Sequence, residues 1–429
     1  MLYKLRHLHL LIHYEVVLKD IQEGHNSDVI YIDFAKAFDK VDHGILLHKV
    51  KQQGISGHIG RWIHNFLTNR SQIVTIQGQW SAPSTVLSGV PQGSVLGPLL
   101  FLIMVNDIDS GLRHSTTTSF ADDTRIRKQI KSQEETNLMQ KDLNTIMEWA
   151  DINNMALNRD KFELLRYGKN NNTKSETNYQ CQDHNIKAKD HVKDLGVYMS
   201  SDGTFSHHYS KITQAARQLS GWILRTFTTR EKTCMLTLWK SLVLPKMEYC
   251  CQLWSPHKTT DIMSIEAIQR SFTSRIAGLN HLNYWERLKH LNLYSLQRRR
   301  ERYIIMYVWK VLEKLVPDVG LTETNNPRRG RLCFVQHTQA STQGVKTLIH
   351  HSFSHNGACL FNCAPRSLRE LRNIAPNTFK HHLDKWLASI VDHPPTPGYT
   401  NYNTNSLPSI LQESRREELD RPGMSGGPP

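Results

Sequence analysis

The chain has 429 residues, 39% of them hydrophobic, which is enough for two or three domains with a real core. Its seven cysteines are too few and too unevenly spaced for a disulfide framework, so the expected setting is a reducing, intracellular one. The opening MLYKLRHLHLLIHYEVVLKD is broken by histidine and acid, unlike a secretory signal, and no uncharged apolar run reaches the roughly 18 residues of a membrane span. The formal charge is +14, and residues 201–329 alone hold twenty Lys and Arg against ten Asp and Glu. That balance points to a polyanionic partner, because each neutralised phosphate releases counterions, although solvated helical surfaces share it.

In chain order, residues 8–22 read as a helix closed by Gly24. The β-branched and aromatic run Val29–Ile32 then reads as a buried strand that ends on Asp33. Two strands, Gln72–Gln77 and Ser84–Leu87 joined by a Gly78 turn, lead into the glycine- and proline-punctuated loop SGVPQGS and a helix from Val95 to Ile108. Thr118–Ile126 suggests two short strands meeting at a tight turn through Ala121, Asp122 and Asp123. Met139, Leu143, Ile146, Met147 and Ala150 then share one helical face. Strand, helix, strand pair, helix is an α+β plan.

After Gly203 the pattern is almost wholly helical, with one apolar stripe through Ile212, Ala216, Leu219 and Ile223 and another through Ile304, Val308 and Val311. Thr228 and Glu231 have capping-box spacing for a helix that Pro245 would stop. From Pro394 onward the composition predicts an unfolded tail.

Nucleotide polymerisation is an in-line phosphoryl transfer in which two divalent cations, about 4 Å apart, activate the attacking hydroxyl and neutralise the leaving group. Carboxylates from separate strands meeting at one point are the minimum device that bridges such ions. Asp33 at a strand end and the Asp122–Asp123 pair on a turn could supply it, although an Asp-Asp pair is more often only a turn.

Context makes the pattern specific. The runs DFAKAFDKVDH from Asp33 to His43, SGVPQGSVLGPLLF from Ser88 to Phe101 and FADDT from Phe120 to Thr124 are followed by Leu157, Asn158 and Lys161, then by HVKDLGV from His191 to Val197. In order and spacing they resemble the palm motifs of reverse transcriptases from non-LTR, LINE-like retrotransposons of the jockey type. The resemblance implies an α+β polymerase palm, an antiparallel sheet packed on helices, followed by a mostly helical thumb and C-terminal region. It divides the chain into a residual N-terminal helix at 1–25, a reverse transcriptase palm at 26–200, a helical thumb at 201–316, a C-terminal family segment at 317–393 and the tail at 394–429.

The same resemblance implies roles. Asp33 and Asp122 would ligate two Mg2+ ions, with Asp123 completing the acidic cluster and the Phe34 carbonyl touching a metal. Phe38 would exclude a ribose 2′ hydroxyl by volume. Gln92 would contact the incoming nucleotide, with Gly89 and Gly93 allowing close backbone approach, and Lys161 would stand beside the leaving pyrophosphate as a candidate general acid. The implied partners are an RNA template, a DNA primer and dNTPs, with no membrane. The nucleus is the expected place for target-site reverse transcription, and otherwise the cytoplasm. The family carries a longer fingers region, with basic side chains for the triphosphate, than the 32 residues before Asp33, so weak or absent activity in isolation is expected. A catalytically inactive RNA- or DNA-binding remnant is the alternative. A viral RNA-directed RNA polymerase fits less well, because such enzymes usually carry Gly before the paired Asp and a polar residue where Phe38 stands.

Arg298, Arg299, Arg300 and Arg302 could grip the template–primer backbone, with a solvated helical face as the equal alternative. Asp39, Asp42 and His43 invite a catalytic role, but their spacing at a helix start favours capping and local pairing. His351, His355, Cys359 and Cys363 recur every four residues, yet on a helix their ends would lie about 18 Å apart, too far for one tetrahedral ion.

Overall fold

A computed structural model describes residues 2–168, 178–334, 342–396 and 405–420. They form two compact units, one of residues 24–195 with 200–202, the other of the residues before 24, 196–199 and those from 203 onward. The first helix, α1 (Leu2–Gln22), therefore packs in the second unit, although it precedes the first in sequence.

The first unit is built on a five-stranded sheet. Its central strand is β1 (Asn26–Ile32), buried along nearly its whole length, with polar Asn26, Ser27 and Asp28 leading into the apolar run Val29–Ile32. Next come α2 (His43–Gln52), α3 (Gly57–Leu67) and a ribbon of short strands: β2 (Arg70–Gln72), β3 (Thr75–Ile76), β4 (Gln79–Trp80) and β5 (Ser84–Val86). β2 pairs with β5 and β3 with β4. The two strands expected there are thus broken into a two-tier ribbon, whose residues 71–85 are all exposed. α4 (Leu96–Val105) ends earlier than its hydrophobicity suggested.

The hairpin of β6 (Thr116–Phe120) and β7 (Asp123–Ile130) follows, then α5 (Gln133–Ile152), β8 (Glu163–Tyr167), a small ribbon of β9 (Gln180–Cys181) and β10 (His184–Asn185), β11 (Lys187–Lys189) and β12 (His191–Asp194). The sheet order is β11-β8-β1-β7-β6, with β1 antiparallel to both neighbours and β11 parallel to β8.

Alternation divides the sheet into two faces. Ile30, Ile32, Ile126, Ile130 and Leu164 point into a core shared with Leu100, Phe101 and Met104 of α4 and Met139, Leu143 and Ile146 of α5. Each such side chain contributes about 1.5–3 kcal/mol on burial. Tyr31, Arg125 and Tyr167 lie on the other face. Two long-range polar ties hold the helical layer. Lys49 reaches the Met104 carbonyl and Asp107, which also accepts from the Trp149 indole at 3.0 Å. Asp142 accepts from the amides of Arg113, His114 and Ser115, fixing the approach to β6.

The second unit is helical: α1, then α6 (Ser206–Thr226), α7 (Lys232–Leu238), α8 (Leu244–Glu248), α9 (Cys251–Trp254), α10 (Thr259–Thr273), α11 (Tyr284–Leu291), α12 (Leu296–Leu312), α13 (Gln343–His350), α14 (Phe353–Cys363), α15 (Arg366–Arg369), α16 (Pro376–Ala388) and α17 (Leu407–Asp420). Among the described residues the hairpin Thr322–Asn326 with Gly330–Phe334 interrupts them. Among the described residues no helix is long and apolar enough to cross a membrane.

Three expectations are corrected here. Glu231 is the N-cap of α7 but makes no side-chain cap bond. Pro245 does not stop the chain either: a π-helical turn, Trp239–Val243, absorbs the break, so that Pro245 enters α8 in its first turn, where no amide hydrogen is needed. Part of the expected tail is ordered, because the Leu407 amide at the start of α17 donates to the buried Glu301 carboxylate at 3.0 Å and Leu407 itself is buried.

Candidate active site

Asp33 follows Ile32, the last residue of β1, which pairs with Thr124 of β7. That pair ends the ladder, and Asp33 and Asp123 are the next residues beyond it on the two strands. Phe34 returns to the core face, so Asp33 shares the opposite face with Tyr31. Phe120 pairs with Asp123, which leaves Ala121 and Asp122 as the two turn residues. Ala121 takes a φ of +57°, a left-handed conformation that costs an L-residue about 1–2 kcal/mol. That strained turn sets exposed Asp122 beside Asp123. Residues 89 positions apart thus arrive at one strand end.

The first carboxylate is held by its backbone. Asn158 N donates to the Asp33 carbonyl at 2.8 Å and Ala35 N to that of Ala156 at 2.8 Å, closing a bridge between Phe34 and Leu157. Those bonds flank Phe34 and leave its carbonyl out of the bridge. The same loop carries Lys161, whose Nζ lies 3.2 Å from Asp33 Oδ2.

The SGVPQGS loop closes on the segment after Asp33. Val90 N donates to the Phe38 carbonyl at 2.9 Å, Gly89 N to that of Val41 at 2.8 Å and Ser88 Oγ to that of Asp39 at 2.8 Å. Gly89 has a φ of +87°, and a Cβ there would sit 2.8 Å from the Asp39 carbonyl oxygen, so only glycine allows the approach. Gly93 also has positive φ, but open space around it. Ser94 Oγ links the Pro91 carbonyl to the Gly97 amide, joining the loop to α4.

Gln92 Nε2 donates to Asp39 Oδ1 at 2.7 Å. Phe38 is half-buried and stacks on Phe101 with 4.3 Å between ring centroids. Asp42 caps α2 by accepting from Ile45 N at 3.0 Å, and that bond holds its carboxyl below the usual range. His43 Nε2 lies 2.8 Å from the Gly89 carbonyl. Asp42 therefore caps the helix as its spacing suggested, while Asp39 and His43, rather than pairing locally, tie the distant loop to this segment.

Magnesium requires hard oxygen donors. Asp33 Oδ2 is itself buried and accepts no hydrogen bond, so the ammonium of Lys161 is the cation that compensates it. The carboxylate oxygens of Asp33, Asp122 and Asp123 are donors of that type. Among the described residues, however, no three His, Cys, Asp or Glu side chains stand close enough together to hold one as they are placed.

The four arginines do not join this site. Arg298, Arg300 and Arg302 are 0%, 1% and 8% exposed inside α12. Arg298 donates to the Val391 carbonyl at 3.1 Å, Arg299 holds Glu248 with two nitrogens, and Arg302 holds Asp384 the same way. The proposed backbone grip is thus corrected: Arg298, Arg299 and Arg302 are bonded within the helical unit, and Arg300 is buried there with no hydrogen-bond partner among the described residues. His351, rather than sharing an ion with His355, stacks on His257 at 3.7 Å.

Sequence reasoning missed one polar group near the carboxylates. Arg125, two residues past Asp123, forms a buried ion pair with Asp194. Nothing local signals it, because the partners are 69 positions apart.

Residues 2–199 match the family described as reverse transcriptase (RNA-dependent DNA polymerase). The chain is 27% identical over 262 residues to the RNA-directed DNA polymerase from mobile element jockey of Drosophila melanogaster, covering 58% of this chain and 28% of that protein. It is also 27% identical over 279 residues to the probable RNA-directed DNA polymerase from transposon X-element of the same fly, covering 63% and 30%. The chain therefore spans less than a third of the length of these relatives. Telomerase from Candida tropicalis, solved with the TWJ fragment of telomeric RNA, overlaps 88% of this chain and 51% of its own at 12% identity, with a TM-score of 0.36. The sheet, antiparallel except for β11, lies on a helical layer as in a polymerase palm, and residues 2–199 are a reverse transcriptase domain similar to those of jockey and other non-LTR retrotransposons.

Proposed function

We propose that this chain copies RNA into DNA, adding dNTPs to the 3′ end of a DNA primer. The observation that carries this reading is the ladder ending on Ile32 and Thr124, which leaves Asp33 and Asp123 as the next residues on the two strands, with Asp122 on the adjoining turn. When bound, a pair of Mg2+ ions would activate the primer hydroxyl and neutralise the leaving pyrophosphate. Asp33 and Asp122 would hold them, with Asp123 and the Phe34 carbonyl completing the oxygen set.

The remaining work falls to the chain's own groups. Phe38, braced by Phe101, would occupy the space a ribose 2′ hydroxyl needs. Gln92, anchored by Asp39 and carried on the loop that Gly89 docks, would lie along the incoming nucleotide with Gly93 beside it. Lys161 would leave Asp33 as the ions arrive and turn its proton toward the leaving phosphate. On this reading the reaction belongs in the nucleus, where target DNA is found.

A second reading is a nucleic-acid-binding chain without turnover. Its support is that Lys161 already occupies Asp33 and that the acidic side chains are not drawn into a three-ligand group. Extension of a primed RNA template by dNTPs, compared between the wild type and an Asp122→Asn/Asp123→Asn variant of equal fold, separates the two. Wild-type extension lost in the variant supports the polymerase, and equal signals leave the binding protein.

A further inference from the structure

Between His43 and Asn106 the chain holds no Asp or Glu, although 39 of its 429 residues are acidic. The same stretch carries Lys49, Lys51, Arg61 and Arg70, and it folds as α2, α3, the two-tier ribbon and α4 of the first unit. These elements therefore offer an anion no like charge of their own. Two of the cations are engaged. Lys49 is buried against Asp107, and Arg70 donates to the Leu67 carbonyl at 3.0 Å and the Gly89 carbonyl at 3.3 Å, which fastens the ribbon to the end of α3. Among the described residues, exposed Lys51 on the last turn of α2 has no partner, and exposed Arg61 on α3 bonds only to His58, at 3.0 Å.

The same elements leave aromatic rings in water. Six of the seventeen large hydrophobics exposed among the described residues fall between Ile59 and Trp80, and Trp62 and Trp80, 58% and 73% exposed, are the two most exposed tryptophans. Ile59, Trp62 and Phe66 follow at three- and four-residue spacing along one face of α3, where the Trp62 and Phe66 rings stack with centroids 5.7 Å apart. Trp80 is set by the ribbon: it pairs with Thr75, Gln79 pairs with Ile76, and Gln77 and Gly78 close the turn with φ of +50° and +80°. Ser81 extends the hairpin, its amide donating to the Val74 carbonyl at 2.9 Å. A two-stranded ribbon solvated on both sides is marginal by itself, and a cluster of exposed rings on it marks a surface that something covers. Exposed Gln72, Gln77 and Gln79 add amide donors and acceptors to the ribbon.

We propose that α3 and the ribbon form a surface for single-stranded nucleic acid, with unpaired bases stacked on Trp62 and Trp80 and phosphates held by Lys51 and Arg61. Rings set among cations grip an unpaired strand whatever its sequence, since every base has a π-face, whereas a duplex has already stacked its own. A second copy of this chain fits the surface less well, because it would bring one basic, acid-free face against another. The proposal rests on the reading of the chain as one that handles nucleic acid, with or without turnover, and it uses none of the groups assigned to the reaction.

The test is fluorescence anisotropy of a labelled oligouridylate of about 16 nucleotides with the intact chain, and of an oligothymidylate and an RNA duplex of the same length. Trp80→Thr, which keeps a strand-forming residue, should weaken oligouridylate binding about tenfold, and Trp80→Phe, which keeps a ring, should stay within about threefold of the wild type. Lys51→Gln and Arg61→Gln should each reduce the slope of log K against log salt by about 0.7, while the tryptophan variants leave it unchanged. Trp222→Leu, at the exposed tryptophan of the helical unit, should bind as the wild type does. Either single strand bound more tightly than the duplex supports the proposal, and the tighter of the two names the source. Wild-type affinity in Trp80→Thr, equal losses in Trp80→Thr and Trp80→Phe, or a duplex bound as tightly as the single strands overturns it. So does sedimentation in which Trp80→Thr dissociates an oligomer without changing RNA affinity. Should circular dichroism show Trp80→Thr unfolded, the salt slopes of Lys51→Gln and Arg61→Gln still decide the matter. Binding is read without turnover, so an inactive polymerase leaves the test intact, whereas a wild type that binds no oligonucleotide overturns the nucleic-acid reading and this proposal together.

Discussion

Lys161 Nζ stands 3.2 Å from Asp33 Oδ2, so an ammonium compensates the carboxylate that would otherwise be left with a bare buried oxygen. The lysine should therefore compete with metal in the absence of nucleotide and assist departure of pyrophosphate in its presence. Lys161→Met should tighten Mn2+ binding several-fold while lowering single-turnover extension about 100-fold, the usual yield of a positioned acid. Weaker extension without tighter metal binding would show that the contact does not screen Asp33.

Gly89 is the point where the loop before α4 meets the segment after Asp33. Gly89→Ala must adopt positive φ and push the Asp39 backbone aside, at a cost of roughly 2–3 kcal/mol. Urea unfolding should register that loss, and the KM for dNTP should rise because Gln92 moves with the loop. Gly93→Ala, with open space around its Cβ site, should cost less, and equal losses at the two positions would contradict the docking role of Gly89.

Burial pushes His208 down to about 4, so the folded helical unit holds it neutral. Such a histidine stabilises fully above its unfolded value near 6.5, and that contribution is lost as pH falls from 6.5 toward 4. At pH 5 the loss amounts to about 2 kcal/mol. Urea midpoints at pH 7.5 and pH 5 should therefore differ more for the wild type than for His208→Asn. Identical pH dependence in the two proteins would contradict a neutral buried imidazole.

Arg299→Ala and Arg302→Ala should destabilise the helical unit by roughly 1–3 kcal/mol each, since each leaves a partly buried carboxylate, Glu248 or Asp384, without its partner. RNA binding should keep the same slope of log K against log salt. A slope reduced by about one per substitution would instead mark a phosphate contact.

What could be read from the sequence follows from the range of the interactions involved. The apolar run before Asp33, the stripe of α5 and the turn at Ala121–Asp123 are local patterns, and each forms the element expected of it. The arginines of α12 could not be judged locally, because their partners Glu248, Asp384 and Val391 lie 51 to 93 positions away. Burial of a charged run is a property of the assembled helices, and composition sees only the charge. The helix at 407–420 escaped for a similar reason: its first amide is satisfied by Glu301, 106 positions earlier. The π-helical passage through Pro245 shows a breaker overruled by a local change of helical pitch.

The order of synthesis separates α1 from residues it packs with. Its Leu10, Leu11 and Val17 are fully covered in the finished unit, and Glu15 accepts from Ser354, 339 positions later. At roughly 5–20 residues per second, that partner emerges about 20–70 s after the helix does. The whole of the palm sheet is synthesised in the interval, so α1 waits throughout with that apolar face unmatched. Holdase chaperones that bind apolar helices should engage it during this time, and a shorter wait, such as a circular permutation that moves α1 behind α17, should lower the yield of aggregated product.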